Sequence, residues 1–418
     1  MHTSLRRYLV AQPSIPFHRG PLTGLRIVDM TTSYAGPTAA MYLADLGADV
    51  IKVERPGHGD EARMWGPPFV THASAWFASA NRNKRSVVLD IRHNEGLDAL
   101  YSLIGNSDVF LQNLNPAKLR KLKLHPEVLR TRFPRLIYCA ISGFGLDGPD
   151  AELPGYDLAA QARSGLMSVT GALGGSPQRV STALSDIVTG MCAALAVSAA
   201  AVRQRTDGVG DTIDVSLLDS DLALMAPRIA AYCAGGTEPV PSGGTDSVLA
   251  VYQTFRTEDR DIAIAIGNDS MWTRFCRAIG EPDLGTDQAF GTNADRRRHR
   301  GQLTQLIERR LIERPASEWL TILAQSGVPC SLVQFLSEVV ADRQVIARSS
   351  LMPVPESARQ MVSVRSPFRL ASIPNPRNDR FPEHGAHTEE VLLESGLSPE
   401  RVAQLIVSGA VSQLEQKE

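Results

Sequence analysis

Asp186 is the residue whose type and surroundings most invite chemistry. It lies in Ser181-Thr182-Ala183-Leu184-Ser185-Asp186-Ile187-Val188-Thr189-Gly190, where a polar segment gives way to a long apolar run. A carboxylate at a helix start meets free backbone N–H groups and the positive end of the dipole, worth ~0.3–1 kcal/mol, or ~2 when partly buried. Two readings follow. One is an Asp that only caps the helix, which the position taken alone favours. The other is a carboxylate nucleophile whose oxyanionic intermediates are held by neighbouring amides. A second group sits at strand ends. Thr31-Thr32-Ser33-Tyr34 follows an apolar strand, where open parallel sheets receive ligands, the alternative being an ordinary βα turn, which this feature alone favours. Arg55 follows the next strand; its guanidinium suits a phosphate or a purine face, the alternative being a solvated loop arginine. The basic runs Asn81–Ser86 and Arg296–Arg300 read as solvated faces, with no aromatic interleaving to suggest nucleic acid.

Positioning these residues requires an alternating framework. Leu25–Met30, Asp49–Glu54, Ser86–Asp90, Asp108–Gln112 and Leu136–Ile141 read as short apolar strands. Helices are expected from Pro37 to about Leu46, near Asn94–Ile104 and around Pro116–Arg132. Such alternation implies crossover connections and a mostly parallel, doubly wound sheet. The turn after Met30 lacks GxGxxG, so the layout is Rossmann-like without the usual pyrophosphate loop. Helices are then expected over Asp157–Val169, Ser185–Arg203 and Asp214–Cys233. The Gly- and Pro-rich stretch at 235–247 reads as a linker. A strand pair, Val248–Phe255 and Asp261–Ile266, opens a smaller α+β domain with helices around Asp269–Ile279, Asp295–Ile312 and Ala316–Ser326. Met361–Val364 and Phe368–Leu370 look like strands, and His387–Ser395 and Pro399–Val407 like closing helices. The expected organisation is an arm (1–20), a large α/β domain (21–234), a linker (235–247), a small domain (248–330) and a returning segment (331–418).

Composition narrows the class. The chain has 418 residues, 43% of them hydrophobic, which is ample for a sizeable core and rules out overall disorder. With 43 Lys plus Arg against 45 Asp plus Glu, there is no basic excess for nucleic acid. No uninterrupted apolar run reaches the ~18–20 residues that span a bilayer, Met191–Val202 coming nearest, so no membrane association is expected. Five scattered cysteines without a CxxC pair read as reduced thiols in a cytoplasmic protein, and no metal-ligand spacing occurs. The first twenty residues lack a signal-peptide core, a mitochondrial presequence being the alternative.

In order and spacing, a series of segments resembles the class III CoA-transferases, the CaiB/BaiF family, over about residues 21–385. They are Pro21–Asp29, Ala35-Gly36-Pro37, Leu46–Gly57, Asn83–Asp90, Ser142–Gly145, Pro154–Leu158 and Ser185–Gly190. The resemblance implies a transferase that moves CoA from an acyl-CoA thioester to a free carboxylic acid, with a dicarboxylate such as succinate as a candidate acceptor. It implies a single catalytic aspartate, which falls on Asp186 and becomes an aspartyl-CoA thioester. It also implies CoA contacts at Tyr34, Ala35, Arg55, Leu89, Arg92, Asn113, Leu114, Lys121, Gly155, Tyr156 and Asp157, with Arg92 where a lysine often stands. Coenzyme A is thus a substrate, with no permanently bound cofactor and no metal. The family fold is an interlocked homodimer.

Two departures matter. The racemase branch of the family has His-Asp where this chain has Tyr156-Asp157. Proton exchange at an α-carbon needs a base and an acid, and tyrosine, with a pKa near ~10, is a poor substitute for histidine. Transfer is therefore expected over α-methylacyl-CoA epimerisation, a silent acyl-CoA-binding protein being the third reading. The glycine-rich flap of the formyl-CoA branch is reduced here to Ser242-Gly243-Gly244-Thr245. That makes oxalate a doubtful acceptor.

Overall fold

The structure, a computed structural model, describes residues 20–354, 361–373 and 378–413; the expected N-terminal arm, apart from Gly20, lies outside them. The chain forms two compact units. One runs through Gly165 and adds Val180–Ala230 and the segment from Arg343 onward; the other comprises Leu166–Arg179 and Ala231–Asp342.

The first unit is built on a seven-stranded sheet: β1 (Arg26–Met30), β2 (Asp49–Glu54), β3 (Lys84–Leu89), β4 (Val109–Gln112), β5 (Ile137–Ser142), β6 (Thr212–Ser216) and β7 (Val411–Ser412). The spatial order is β7-β3-β2-β1-β4-β5-β6. Every pairing is parallel except the short β7, which runs antiparallel to β3. Without β7, this is the 3-2-1-4-5-6 order of a doubly wound sheet, and the strand direction of growth reverses between β1 and β4. Side chains alternate between two cores, as strand geometry requires. Val28, Ile51 and Phe110 join one, with Leu100 and Tyr138. Ile27, Val50 and Val109 join the other, with Leu43 and Val197. Both faces being covered explains why these strands read as continuous apolar runs.

Helix α1 (Ala35–Asp45) follows β1, α2 (Asn94–Gly105) follows β3, and α3 (Asp157–Arg163), α4 (Leu184–Asp207) and α5 (Leu217–Cys233) come later. α1 and α4 cross at close range because small residues face each other. A Cβ on Gly190 would lie 2.8 Å from the Ala35 carbonyl oxygen and 2.9 Å from Thr38 Cβ. By length and composition, α4 is long and apolar enough to cross a membrane, which corrects the expectation that no segment is. Its buried face (Gly190, Ala193, Ala194, Val197, Ala201) is nevertheless the packing surface for α1 and the sheet.

The second unit holds an antiparallel sheet of Cys330–Leu332, Asp261–Ala265 and Tyr252–Arg256, packed with helices Asp269–Ala278, Arg300–Leu311 and Ala316–Gln325 around Trp272, Phe275 and Leu323. Arg296, from the expected solvated cluster, is instead buried: it donates to the Phe290 carbonyl at 2.8 Å and lies over the Trp272 ring.

Several element boundaries differ from expectation. The single helix expected over Pro116–Arg132 is two, Pro116–Lys121 and Pro126–Arg132, parted by Lys123 at φ +55°. Asp157–Val169 likewise breaks at Gly165, φ +82°. The start of the helix expected from Asp214 is strand β6. Phe368–Leu370 forms no strand; Val362–Val364 pairs with Leu351–Pro353.

Candidate active site

The reversal point between β1 and β4 is held open by a reciprocal contact. Asn113, just past β4, accepts the Thr32 N–H at 3.1 Å and donates to the Thr32 carbonyl at 3.0 Å. Asp60 accepts the Ser33 N–H at 3.1 Å, and Ser33 takes a left-handed φ of +70°. Beneath this turn two buried ammonium groups reach up from neighbouring strands. Lys52 Nζ donates to the Thr31 carbonyl at 2.9 Å and pairs with Asp60 at 2.8 Å. Lys84 Nζ donates to Asp29, to the Pro37 carbonyl and to Asn81, each at 2.9 Å. Burial pulls Lys84 down to about 8, against the opposing pull of Asp29. Cations so buried persist only when fully paired, so the turn between β1 and α1 is heavily constrained.

A cleft of about 170 Å³ opens above, lined by Thr31, Thr32, Arg55, Leu89, Leu114 and Lys118 among others. Three expected CoA contacts thus meet here: Arg55, Leu89 and Leu114. Arg55 is exposed and pairs with Glu61 at 3.3 Å. Arg92 pairs with Asp90 at 2.8 Å and is 82% exposed. Lys121 is exposed at the end of its helix, whereas Lys118, one turn earlier, lines the cleft. Sequence reasoning passed over Lys118; its spacing of three from Lys121 places both near one helix face, which was the available signal.

Tyr34 and Ala35 lie at the other end of the turn. Ala35 is buried as the first residue of α1. The Tyr34 hydroxyl is 3.0 Å from Ser79 Oγ, and its ring centroid lies 5.1 Å from that of Trp76. With Trp65, Ser79, Thr182 and Ala183 these rings wall a pocket of about 300 Å³.

Three residues beyond Ala183 stands Asp186, in the first turn of α4 and half-buried. No hydrogen-bond donor among the described residues reaches its carboxylate. Burial pushes its pKa up to about 7, and the charges of Asp157 and Asp221 add to this. The sequence argument expected the helix dipole to stabilise the anion. That effect is worth at most ~2 kcal/mol; here desolvation and two like charges outweigh it. The Asp186 charge in turn helps burial to raise the Tyr34 phenol.

The Pro154–Asp157 loop supports the same helix start. Gly155 packs backbone to backbone on Gly143; a Cβ there would come within 2.4 Å of the Gly143 Cα. Tyr156 is 60% exposed. Asp157, buried at the start of α3, accepts the Ser185 N–H at 2.9 Å and the Gln161 side-chain N–H at 2.8 Å. Asp221, on α5, accepts from Ser185 Oγ at 2.8 Å and was not found from the sequence. No group of three His, Cys, Asp or Glu suited to a metal occurs among the described residues.

Comparison with known proteins matches this framework along nearly its whole length. The sequence model of CoA-transferase family III matches residues 22–388. A succinyl-CoA:glutarate CoA-transferase of Mus musculus is 36% identical over 404 residues, 95% of this chain and 92% of that protein. An acetyl-CoA:oxalate CoA-transferase of Acetobacter aceti is 36% identical over 80% of this chain and 86% of its own length. The crystal structure of a CaiB/BaiF family protein from Brucella suis superposes with a TM-score of 0.80 at 35% identity, covering 90% of this chain and 100% of that one. A doubly wound sheet with a cleft at its reversal point and full-length relatives that are CoA-transferases have one common explanation: the chain belongs to CoA-transferase family III.

Proposed function

We propose that the protein transfers CoA from an acyl-CoA thioester to a free carboxylic acid through covalent catalysis by Asp186. The turn Thr31–Tyr34 supports a division of labour. Its first residues line the cleft that holds Arg55 and Lys118, suited to the phosphates of CoA; its last lines the aromatic pocket beside the α4 start, suited to an acyl group. The names of the glutarate and oxalate transferases favour a dicarboxylate as the acid.

The Asp186 carboxylate attacks the thioester carbonyl. A C–O bond forms, the C–S bond breaks, and CoA leaves as thiolate. The thiolate attacks the aspartyl carbonyl of the mixed anhydride, releasing the donor acid and leaving an aspartyl-CoA thioester. The acceptor carboxylate then reverses the sequence. Each step exchanges one acyl bond for another, which spares a direct attack between two distant substrates. Water must be excluded, because the anhydride would hydrolyse.

The observation that carries this reading is a half-buried carboxylate with no cation or donor among the described residues to stabilise it, a state that favours reaction over ion pairing. Asp186→Ala is expected to abolish exchange, a loss of at least ~10³-fold, with the far-ultraviolet spectrum unchanged. Hydroxylamine should trap the wild-type intermediate as a modified Asp186 in mass spectrometry. Undiminished exchange in Asp186→Ala would refute the assignment. We further propose a homodimer, supported by an exposed apolar stripe on α4 (Met191, Leu195, Val202) that leaves Leu195 73% exposed.

A further inference from the structure

Asp221 has no part in the chemistry just described, yet it is wholly buried. Its carboxylate is brought from α5 to the first turn of α4, where it accepts the Ser185 hydroxyl at 2.8 Å. On the other side of Ser185, Asp157 accepts the backbone N–H of that same residue at 2.9 Å. Ser185 is thus clamped by two carboxylates from two helices, and the next residue is Asp186. The carboxylates whose charge bears on Asp186 are Asp157 from α3 and Asp221 from α5, and the charge of Asp186 bears in turn on the Tyr34 phenol from the turn before α1. Among the described residues, no Lys, Arg or His forms an ion pair or hydrogen bond with any of the three carboxylates.

We propose that Asp221 is a positioning residue for the nucleophile: held through Ser185, it places a negative charge behind Asp186 that is relieved when Asp186 is acylated. The inference rests on Asp186 being the nucleophile. When the Asp186 oxygen bonds to the thioester carbon, the electron pair of the broken C–S bond leaves on the CoA sulfur. One negative charge therefore moves from the carboxylate cluster to the thiolate, and no proton is transferred. Repulsion inside the cluster raises the energy of the resting anion and not that of the acylated state, so it favours attack. It also makes Asp186 more basic and hence a stronger nucleophile. Burial raises Asp221 as well, while the Ser185 and Ser164 hydroxyls favour its charged form.

The test is the pH profile of kcat/KM for CoA exchange in wild type, Asp221→Asn and Asp221→Glu. Asn is nearly isosteric and can still accept the Ser185 hydroxyl, so it removes charge and little else. The acid limb of Asp221→Asn should move to lower pH and its plateau should fall. The fraction of enzyme trapped by hydroxylamine at alkaline pH should fall too. Asp221→Glu, which restores the charge, should bring the limb back towards wild type. A folded, exchange-competent Asp221→Asn enzyme with an unmoved acid limb would overturn the proposal. So would a limb that moves equally in Asp221→Glu, since that would be a packing effect. If Asp221→Asn does not fold, Asp221→Ser replaces it with the same two outcomes. Exchange that survives Asp186→Ala would instead sink the nucleophile itself, and the two failures are separable.

Discussion

At the scale of single residues, the role proposed for Asp186 ties its protonation to both activity and stability. Its pKa in the folded chain is raised from 3.8 to about 7. The proposed attack requires the anion, so kcat/KM should rise through about pH 7 and level off above it. The stability sign is the opposite. A carboxyl whose folded pKa exceeds its unfolded value binds more protons when folded, so its contribution to stability falls as pH rises from 3.8 through about 7. Asp186→Asn should therefore raise Tm at pH 8 by a few degrees, on the order of 1 kcal/mol, and have little effect at pH 4. Calorimetry at the two pH values checks this. Asp186 could be placed at a helix start from the sequence, because a polar-to-apolar transition marks it. Asp221 could not: it lies 35 positions further on, and only the return of α5 brings it to Ser185.

At the scale of elements, the approach of α1 to α4 sets how the helix starts that carry Tyr34 and Asp186 sit together. Gly190→Val would drive a branched side chain into the Ala35 carbonyl. Overpacking of this kind costs roughly 1–3 kcal/mol. The variant should lose that much stability in chemical denaturation and lose exchange more steeply than stability, because the helices must separate. The elements themselves were unevenly legible. Five central strands showed as apolar runs because both their faces are buried. β6 stands at the sheet edge, and its alternating Thr212-Ile213-Asp214-Val215-Ser216 merged with the helix that begins one residue later. The two helices split by Lys123 were missed because a left-handed non-glycine residue carries no strong sequence signal.

At the scale of the molecule, the 3-2-1-4-5-6 order places the cleft, whatever motif fills the first turn. The fold and the cleft were therefore readable without GxGxxG. The lining cation was not fixed to the residue, since helix phase decides between Lys118 and Lys121. The exposed stripe on α4 belongs to this scale too. For the proposed homodimer, Leu195→Glu should shift sedimentation from dimer to monomer at micromolar concentration, since a charge in an apolar contact is left without a partner. The ammonium groups of Lys52 and Lys84, which hold the carbonyls of Thr31 and Pro37 from below, have one further consequence. A turn tied down in this way has little backbone entropy left to lose, so if a thioester docks there as proposed, its affinity can go to discriminating one acid from another.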